Sequence, residues 1–227
     1  MGQSGARANV GPFCLDVNEV TVDSYKPCVD AMVCGEPRAY DPKDSEYVFA
    51  NWKRAGRGNH PVNYVSWRNA NRYCQWQNAR LPNEQEWEWA ARNGSRGDTY
   101  PWGNAPPNET LLNGCGPECL AHKRAVWGDH ALRPGLVPLY PADDGWPETA
   151  PVGSFPTGDN IWGVHDLAGN VREWTASCGM IQGSTQCAVR GGDWELFDSK
   201  FFTAAWSETT FDTWDYFGYG FRCAKSP

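Results

Sequence analysis

Between Asp193 and Tyr219 the sequence interleaves Trp194, Phe197, Phe201, Phe202, Trp206, Phe211, Trp214, Tyr216 and Phe217 with Glu195, Asp198, Glu208, Asp212 and Asp215. Lys200 is the only basic residue in that interval. Aromatic rings remove large apolar areas from water with few rotatable bonds, and carboxylates beside them orient hydrogen-bond donors. That is the chemistry of recognition rather than of bond making. A hydrophobic core does not absorb so many acids unless each is paired, so part of the segment is expected to face solvent. The expected contacts are Trp194, Trp206, Trp214 and Tyr216 as anchors, with Glu195 and Asp215 as polar partners. Ordinary core packing is expected to claim at least half of the aromatic residues.

Cysteine and histidine supply the next candidates. Nine cysteines in 227 residues exceed what a reducing compartment usually holds. Cys28 with Cys34, Cys115 with Cys119, and Cys178 with Cys187 are natural short-loop pairs. Cys115, Cys119, His122 and His130 also admit a zinc reading, since zinc takes sulfur and nitrogen. Their spacing is not that of a strong finger, and a Gly116-Pro117 turn suits a small bridge better. His60 and His165 read as hydrogen-bonding scaffold residues, and no serine, histidine and acid arrangement is legible.

A series of motifs carries a resemblance. They are Val65-Ser66-Trp67 with Ala70 and Tyr73-Cys74; Arg80-Leu81-Pro82-Asn83-Glu84-Gln85-Glu86-Trp87-Glu88; Pro101-Trp102-Gly103-Asn104; Gly163 to Trp174, reading GVHDLAGNVREW; and Arg190-Gly191-Gly192 closing on Gly220-Phe221-Arg222. In this order they resemble the formylglycine-generating enzyme or sulfatase-modifying factor family, from about Phe13 to Cys223. The resemblance implies an α+β fold, the formylglycine-generating enzyme variant of the C-type lectin fold, with low regular secondary-structure content. One fold carries several functions, so activity has to be argued from the site.

The family's enzymes bind copper and attack a substrate cysteine through two cysteines that follow the glycine pair. Those places hold Leu196 and Phe201, and the whole interval from Ala188 to Arg222 contains no cysteine. A soft Cu(I) ion needs thiolate or thioether ligands, so no copper is expected there. Asp193 replaces the family serine after the glycines, and Trp206 stands near the place of a family arginine. The resemblance further implies a Cys74–Cys223 disulfide, which leaves Cys14 either buried as a thiol or paired outside the chain. It implies calcium as well, as one or two structural ions. The first would be held by Asn113, the Gly114 carbonyl, Asp144 and the Trp146 carbonyl, and the second by Asn170, Val171 and Glu173. Hard oxygen donors in glycine-rich loops suit that ion, although the same residues also serve as turn caps and solvated acids.

The elements that position these residues are short. Leu15, Val17, Val20 and Val22 alternate as a strand that runs into a helix capped by Thr21 or Asp23, which Pro27 should kink or limit. Ser66 is expected to cap a helix carrying Trp67, Ala70 and Cys74. Asn83 is expected to cap another, with Glu86 completing a capping box and Trp87, Ala90 and Ala91 facing inward. Residues 39–60 are polar and punctuated by Pro42, Gly56 and Gly58, as in a long surface connection. Cys187-Ala188-Val189 and Tyr219 to Cys223 read as strands, with a turn at Gly191-Gly192.

Composition bounds the partner. A net charge of -7 with no basic cluster argues against nucleic acid. No apolar stretch is long enough to cross a bilayer, and Met1 to Gly5 lacks the core of a secretory signal. Residues 1–12 read as a tail or remnant and 13–227 as one domain. The expectation is therefore a non-catalytic, extracellular or periplasmic binding domain, with a trimmed mature domain as one way to explain the missing signal. Its aromatic and acidic C-terminal surface would meet a protein, a peptide or a glycan, and the acidic excess favours a basic partner. The alternatives are a ligand-binding protein diversified by a retroelement, a scaffold subunit, and a divergent oxidoreductase or hydrolase with a displaced site.

Overall fold

The computed structural model describes residues 10–128, 132 and 135–227. His130 and most of the N-terminal tail lie outside the described residues.

An antiparallel hairpin supplies the longest regular structure. Strands β2 (Arg172–Ile181) and β3 (Ser184–Arg190) pair with Trp174 opposite Val189 and Cys178 opposite Cys187, and the register shifts between Trp174 and Cys178. Strand β4 (Ser207–Phe211) adds antiparallel to β3, and β5 (Tyr219–Gly220) adds parallel to β2, giving the order β4-β3-β2-β5. The first residues of β2 are buried and its far end is not, so Met180, 70% exposed, stands with Ile181 where the hairpin leaves the body. A second pair joins the chain ends: β1 (Cys14–Leu15) lies antiparallel to β6 (Ala224–Lys225).

The expected N-terminal strand is shorter than its alternation suggests. Val20 and Val22 are buried and donate to the Phe221 and His60 carbonyls, whereas Val17 is exposed. The helix α1 (Val22–Asp30) follows, with the Thr21 hydroxyl accepting from the Ser24 N–H. It continues three residues past Pro27 and buries Val22, Tyr25 and Cys28. In α2 (Trp67–Trp76) Ser66 occupies the N-cap position in extended geometry, but its side chain makes no capping bond. Helix α3 (Glu84–Ala91) has the full capping box between Asn83 and Glu86, and Trp87, Ala90 and Ala91 are buried. Helix α4 (Pro117–Trp127) forms where a turn was expected; Pro117 sits in its first turn, where a missing N–H costs no hydrogen bond.

Four disulfides hold these short elements: Cys28–Cys34, Cys74–Cys223, Cys115–Cys119 and Cys178–Cys187. Cys74–Cys223 ties α2 to the C-terminal stretch across a sequence separation of 149. Cys14 is an exposed thiol, which removes the reading that buries it. The architecture is α+β with little regular secondary structure, and Tyr25, Tyr73, Trp174 and Phe221 meet in its largest core cluster.

Candidate functional site

The C-terminal segment divides between core and surface according to where its backbone turns. Gly191 and Gly192 take φ of 93° and 72°, values that suit glycine, and carry the chain from β3 to Asp193. Gly218 passes so close that a Cβ there would lie 2.0 Å from Asp193 Oδ2. Trp194 then turns inward. It is 1% exposed and packs against Phe49 and Phe217, with ring centroids 5.3 and 5.4 Å away. The expectation that Trp194 anchors a ligand is corrected on that ground, because a ring enclosed by the core offers no surface.

Arg172, at the start of β2, faces the same turn. Its Nε lies 2.9 Å from Asp193 Oδ2, its Nη1 donates to Glu208 Oε2 at 2.9 Å, and its Nη2 lies 3.7 Å from Glu195 Oε1. Glu195 is also bound by Lys123 at 3.1 Å and by the Tyr216 hydroxyl. Its carboxylate is thus an internal partner rather than the free contact expected, and the Tyr216 hydroxyl is committed to it. Burial drives the Asp193 pKa upward against the pull of the Arg172 charge. Burial alone would lower the Arg172 pKa, but the charges of Asp193, Glu195 and Glu208 outweigh it and keep the guanidinium charged.

Over this network opens a cavity of about 410 Å³ lined by Arg172, Leu196, Phe201, Trp206, Ser207 and Glu208. Leu196 and Phe201 are the two positions at which the resemblance would place catalytic cysteines. The Trp206 ring meets Phe201 edge-on at 5.4 Å, and Glu208 reaches in from β4 with its side chain 44% exposed. Eight of the nine cysteines are disulfide-bonded and the remaining one, Cys14, lies on β1, so no cysteine pair faces this cavity. What the arrangement offers is an apolar, aromatic wall beside carboxylates. Arg172 and Glu208 went unforeseen as a pair because they are 36 residues apart and meet through β3.

The other expected contacts stand apart from the cavity lining. Trp214 is 55% exposed and rests on Phe211, with centroids 5.4 Å apart. Asp215 accepts from Arg38 Nε at 3.0 Å, and the Arg38 guanidinium also lies over Tyr47.

The oxygen donors of the middle region rearrange relative to expectation. Glu118, Asp143 and Asp144 bring carboxylate oxygens within 4.8 Å of one another, a grouping able to hold a metal ion. Asp144 accepts from the Tyr140 hydroxyl at 2.5 Å and from the Trp146 N–H at 2.7 Å. The same hydroxyl lies 3.1 Å from the Gly114 carbonyl. Burial, with added repulsion from Glu118, raises the Asp144 pKa to about 7 despite those donors. Asn113 points its amide N–H at the Glu148 carbonyl, and its buried Oδ1 has no partner. Glu118 joins from α4, an element absent from the expected set.

The second expected ion site is used otherwise. Arg222 donates to both oxygens of Glu173, at 2.7 and 2.8 Å, and Trp87 Nε1 adds a third bond at 2.9 Å. Asn170 donates to Glu19 at 2.6 Å and accepts from Ala150 N–H, and the Val171 N–H also donates to Glu19. Arg222 pairs with Glu173 and the other two expected residues hydrogen-bond to Glu19, so these residues form a buried polar hub. The zinc reading falls, because Cys115 is bonded to Cys119 and His122 Nε2 sits 2.9 Å from Glu148. His165 pairs with Asp159 at 2.6 Å, and His60 lies between Arg57 and Thr149, both in scaffold roles.

Comparison with known proteins agrees with this architecture. Residues 3–227 match the family model for the sulfatase-modifying factor enzyme 1-like domain. The chain is 42% identical over 136 residues to the inactive C-alpha-formylglycine-generating enzyme 2 of Mus musculus, covering 59% of this chain and 37% of that protein. It is 34% identical over 204 residues to the formylglycine-generating enzyme of Streptomyces coelicolor, covering 78% of this chain and 58% of that one. The match therefore spans little more than a third of the mouse relative's length. Among solved structures, PvdO from Pseudomonas aeruginosa superposes with a TM-score of 0.69 at 22% identity, over 95% of this chain and 81% of the other.

Proposed function

The chain belongs to the sulfatase-modifying factor enzyme 1-like family, and from that premise we propose that it is a non-catalytic binding domain. Its C-terminal segment presents aromatic and acidic side chains to a protein, peptide or glycan. The observation that carries the reading is the cavity at Leu196 and Phe201, where an apolar and aromatic lining stands in place of a thiolate pair. The name of the mouse relative, an inactive member, supports the same direction. On this reading one domain, residues 13–227, uses a C-type lectin-like scaffold to hold the surface.

The four disulfides support an extracytoplasmic setting, since such bridges persist in oxidising compartments. Among the described residues, no helix is long and apolar enough to cross a membrane. Calcium is the proposed ion at Glu118, Asp143 and Asp144: the donors are hard carboxylate oxygens, and neither buried oxygen of Glu118 accepts a hydrogen bond of normal geometry. The ion would hold the loop after α4 against the body rather than take part in chemistry.

Unbiased capture of a partner, followed by affinity measurement on Trp206→Ala, Trp214→Ala and a far-surface control, tests the function. Weakened association by either tryptophan variant with a native folded spectrum is expected. Full affinity in both, or copper-dependent oxidation of a peptide cysteine by the purified chain, rejects it.

A further inference from the structure

We propose that the cavity over Arg172 receives a cationic side chain, specifically an arginine of a basic peptide or protein segment. The proposal rests on the binding-domain reading and names the chemistry of its ligand. Size comes first: about 410 Å³ lies within the range of small-ligand sites, roughly 300–1,000 Å³, and is ample for one long side chain. The walls come next. Phe201 and Trp206 meet edge-to-face in the lining, and an aromatic face attracts a cation through its quadrupole, tryptophan most strongly.

Charge decides the sign of the ligand. Arg172 lines the cavity, but its guanidinium is already faced by Asp193 and Glu208 at 2.9 Å and by Glu195 at 3.7 Å. Lys123 is likewise spent on Glu195. Glu195 and Glu208 alone match the charges of Arg172 and Lys123, so no uncompensated cation faces the cavity, and the whole chain carries -7. Glu208 is the accessible member: only its Oε2 is engaged by Arg172, and its side chain is 44% exposed. An anionic ligand would have to displace Glu208 to reach Arg172, whereas a cation adds to Glu208 without breaking any bond. Lys200 lies 4.6 Å from the Phe201 ring centroid, but its charge is matched by Asp198 at 2.6 Å. Guanidinium is favoured over ammonium because it is planar, less strongly hydrated, and able to stack on a ring while donating to a carboxylate.

The test uses the intact oxidised chain and three blocked pentapeptides, Gly-Gly-Xaa-Gly-Gly with arginine, lysine or glutamate at the centre, titrated at low salt by calorimetry and tryptophan fluorescence. The arginine peptide should bind most tightly, lysine more weakly, and glutamate least. Trp206→Ala and Glu208→Gln should each weaken arginine-peptide binding about fivefold, the scale of a single cation–ring or charge contact. Met180→Ala, at the exposed far end of the β2–β3 hairpin, should leave it unchanged. Glu208→Gln keeps the side chain's shape, so it decides the question even where Trp206→Ala perturbs folding.

Tighter binding of the glutamate peptide would overturn the proposal and make Arg172 the recognising group. Equal arginine affinity in the parent and Glu208→Gln, or no binding by any peptide, would also overturn it. If these titrations fail while Trp214→Ala still weakens a captured partner, the cation site falls and the binding-domain reading stands.

Discussion

Arg172 Nε and Asp193 Oδ2 lie 2.9 Å apart, with the Arg172 side chain 9% exposed and that of Asp193 fully enclosed. The pair joins the first residue of β2 to the residue after the Gly191-Gly192 turn, and so fixes the floor of the cavity. The contact is an ion pair without hydrogen-bond geometry, and Glu208 and Glu195 face the remaining guanidinium nitrogens.

Breaking that pair from one side should be costly. Arg172→Ala leaves Asp193 buried beside Glu195 without its counter-charge, and the expected loss is about 3–5 kcal/mol. Replacing both partners, as Arg172→Met with Asp193→Leu, removes the uncompensated charge and should recover much of the loss. Urea denaturation of the two variants checks this. A double variant no more stable than the single would show that the charge pair is not the reason.

Much of the frame was readable because its determinants are local. The Asn83 and Glu86 capping box lies within four residues and forms as expected, and the three short-loop cysteine pairs close on themselves. Helix α4 was missed because Gly116-Pro117 inside a cysteine pair reads equally as a turn and as a helix start. The site was harder. Trp194 and Trp214 look alike in sequence, yet Phe49, from the connection at 39–60, covers the first and leaves the second at 55% exposure. Glu195 was legible as an acid, but Lys123 and Arg172, which occupy it, come from distant elements.

The disulfides should differ in worth according to the loops they close. Cys74–Cys223 spans a separation of 149 and Cys115–Cys119 a separation of 4. In the chain-entropy account a loop of the longer kind is worth about 5 kcal/mol and one of the shorter kind about 2 kcal/mol. The paired serine variant of Cys74 and Cys223 should therefore lose about two and a half times the stability lost by the paired variant of Cys115 and Cys119. Chemical denaturation of the two under non-reducing conditions measures the difference, and equal losses would reject the ranking.

Buried His60 makes an acid-side prediction. Desolvation, aided by the Arg57 charge, lowers its pKa from 6.5 to about 4. A depressed folded-state pKa means that the neutral ring supports folding above pH 6.5, and that this support is lost as pH falls through about 4. The contribution is about 3 kcal/mol over that window. His60→Gln should flatten the acid limb of the stability profile between pH 6.5 and 4. An unchanged limb would place acid sensitivity elsewhere.

Asp144 titrates with the opposite sign, which gives calcium a measurable signature. Its ordinary pKa of 3.8 is raised to about 7, chiefly by burial and further by Glu118, against hydrogen bonds from Tyr140 and Trp146. Folding therefore favours the protonated acid. That contribution is complete below about pH 4 and is lost as pH rises through about 7, so the metal-free chain should lose stability across this interval. Discounted for partial solvent screening, the loss is about 2 kcal/mol, or a fall in Tm of about 6 °C for a chain of this size. A divalent cation reverses the balance, because it prefers the ionised carboxylates of Glu118, Asp143 and Asp144 that repel one another without it. Calcium should accordingly raise Tm at pH 8 and have little effect at pH 4.5. Asp144→Asn should remove most of the pH slope and weaken the calcium response. Thermal unfolding of parent and variant at both pH values, with and without calcium, supplies the measurement. A parent whose Tm ignores calcium at pH 8 rejects the ion, and a variant that responds as fully as the parent rejects Asp144 as a ligand.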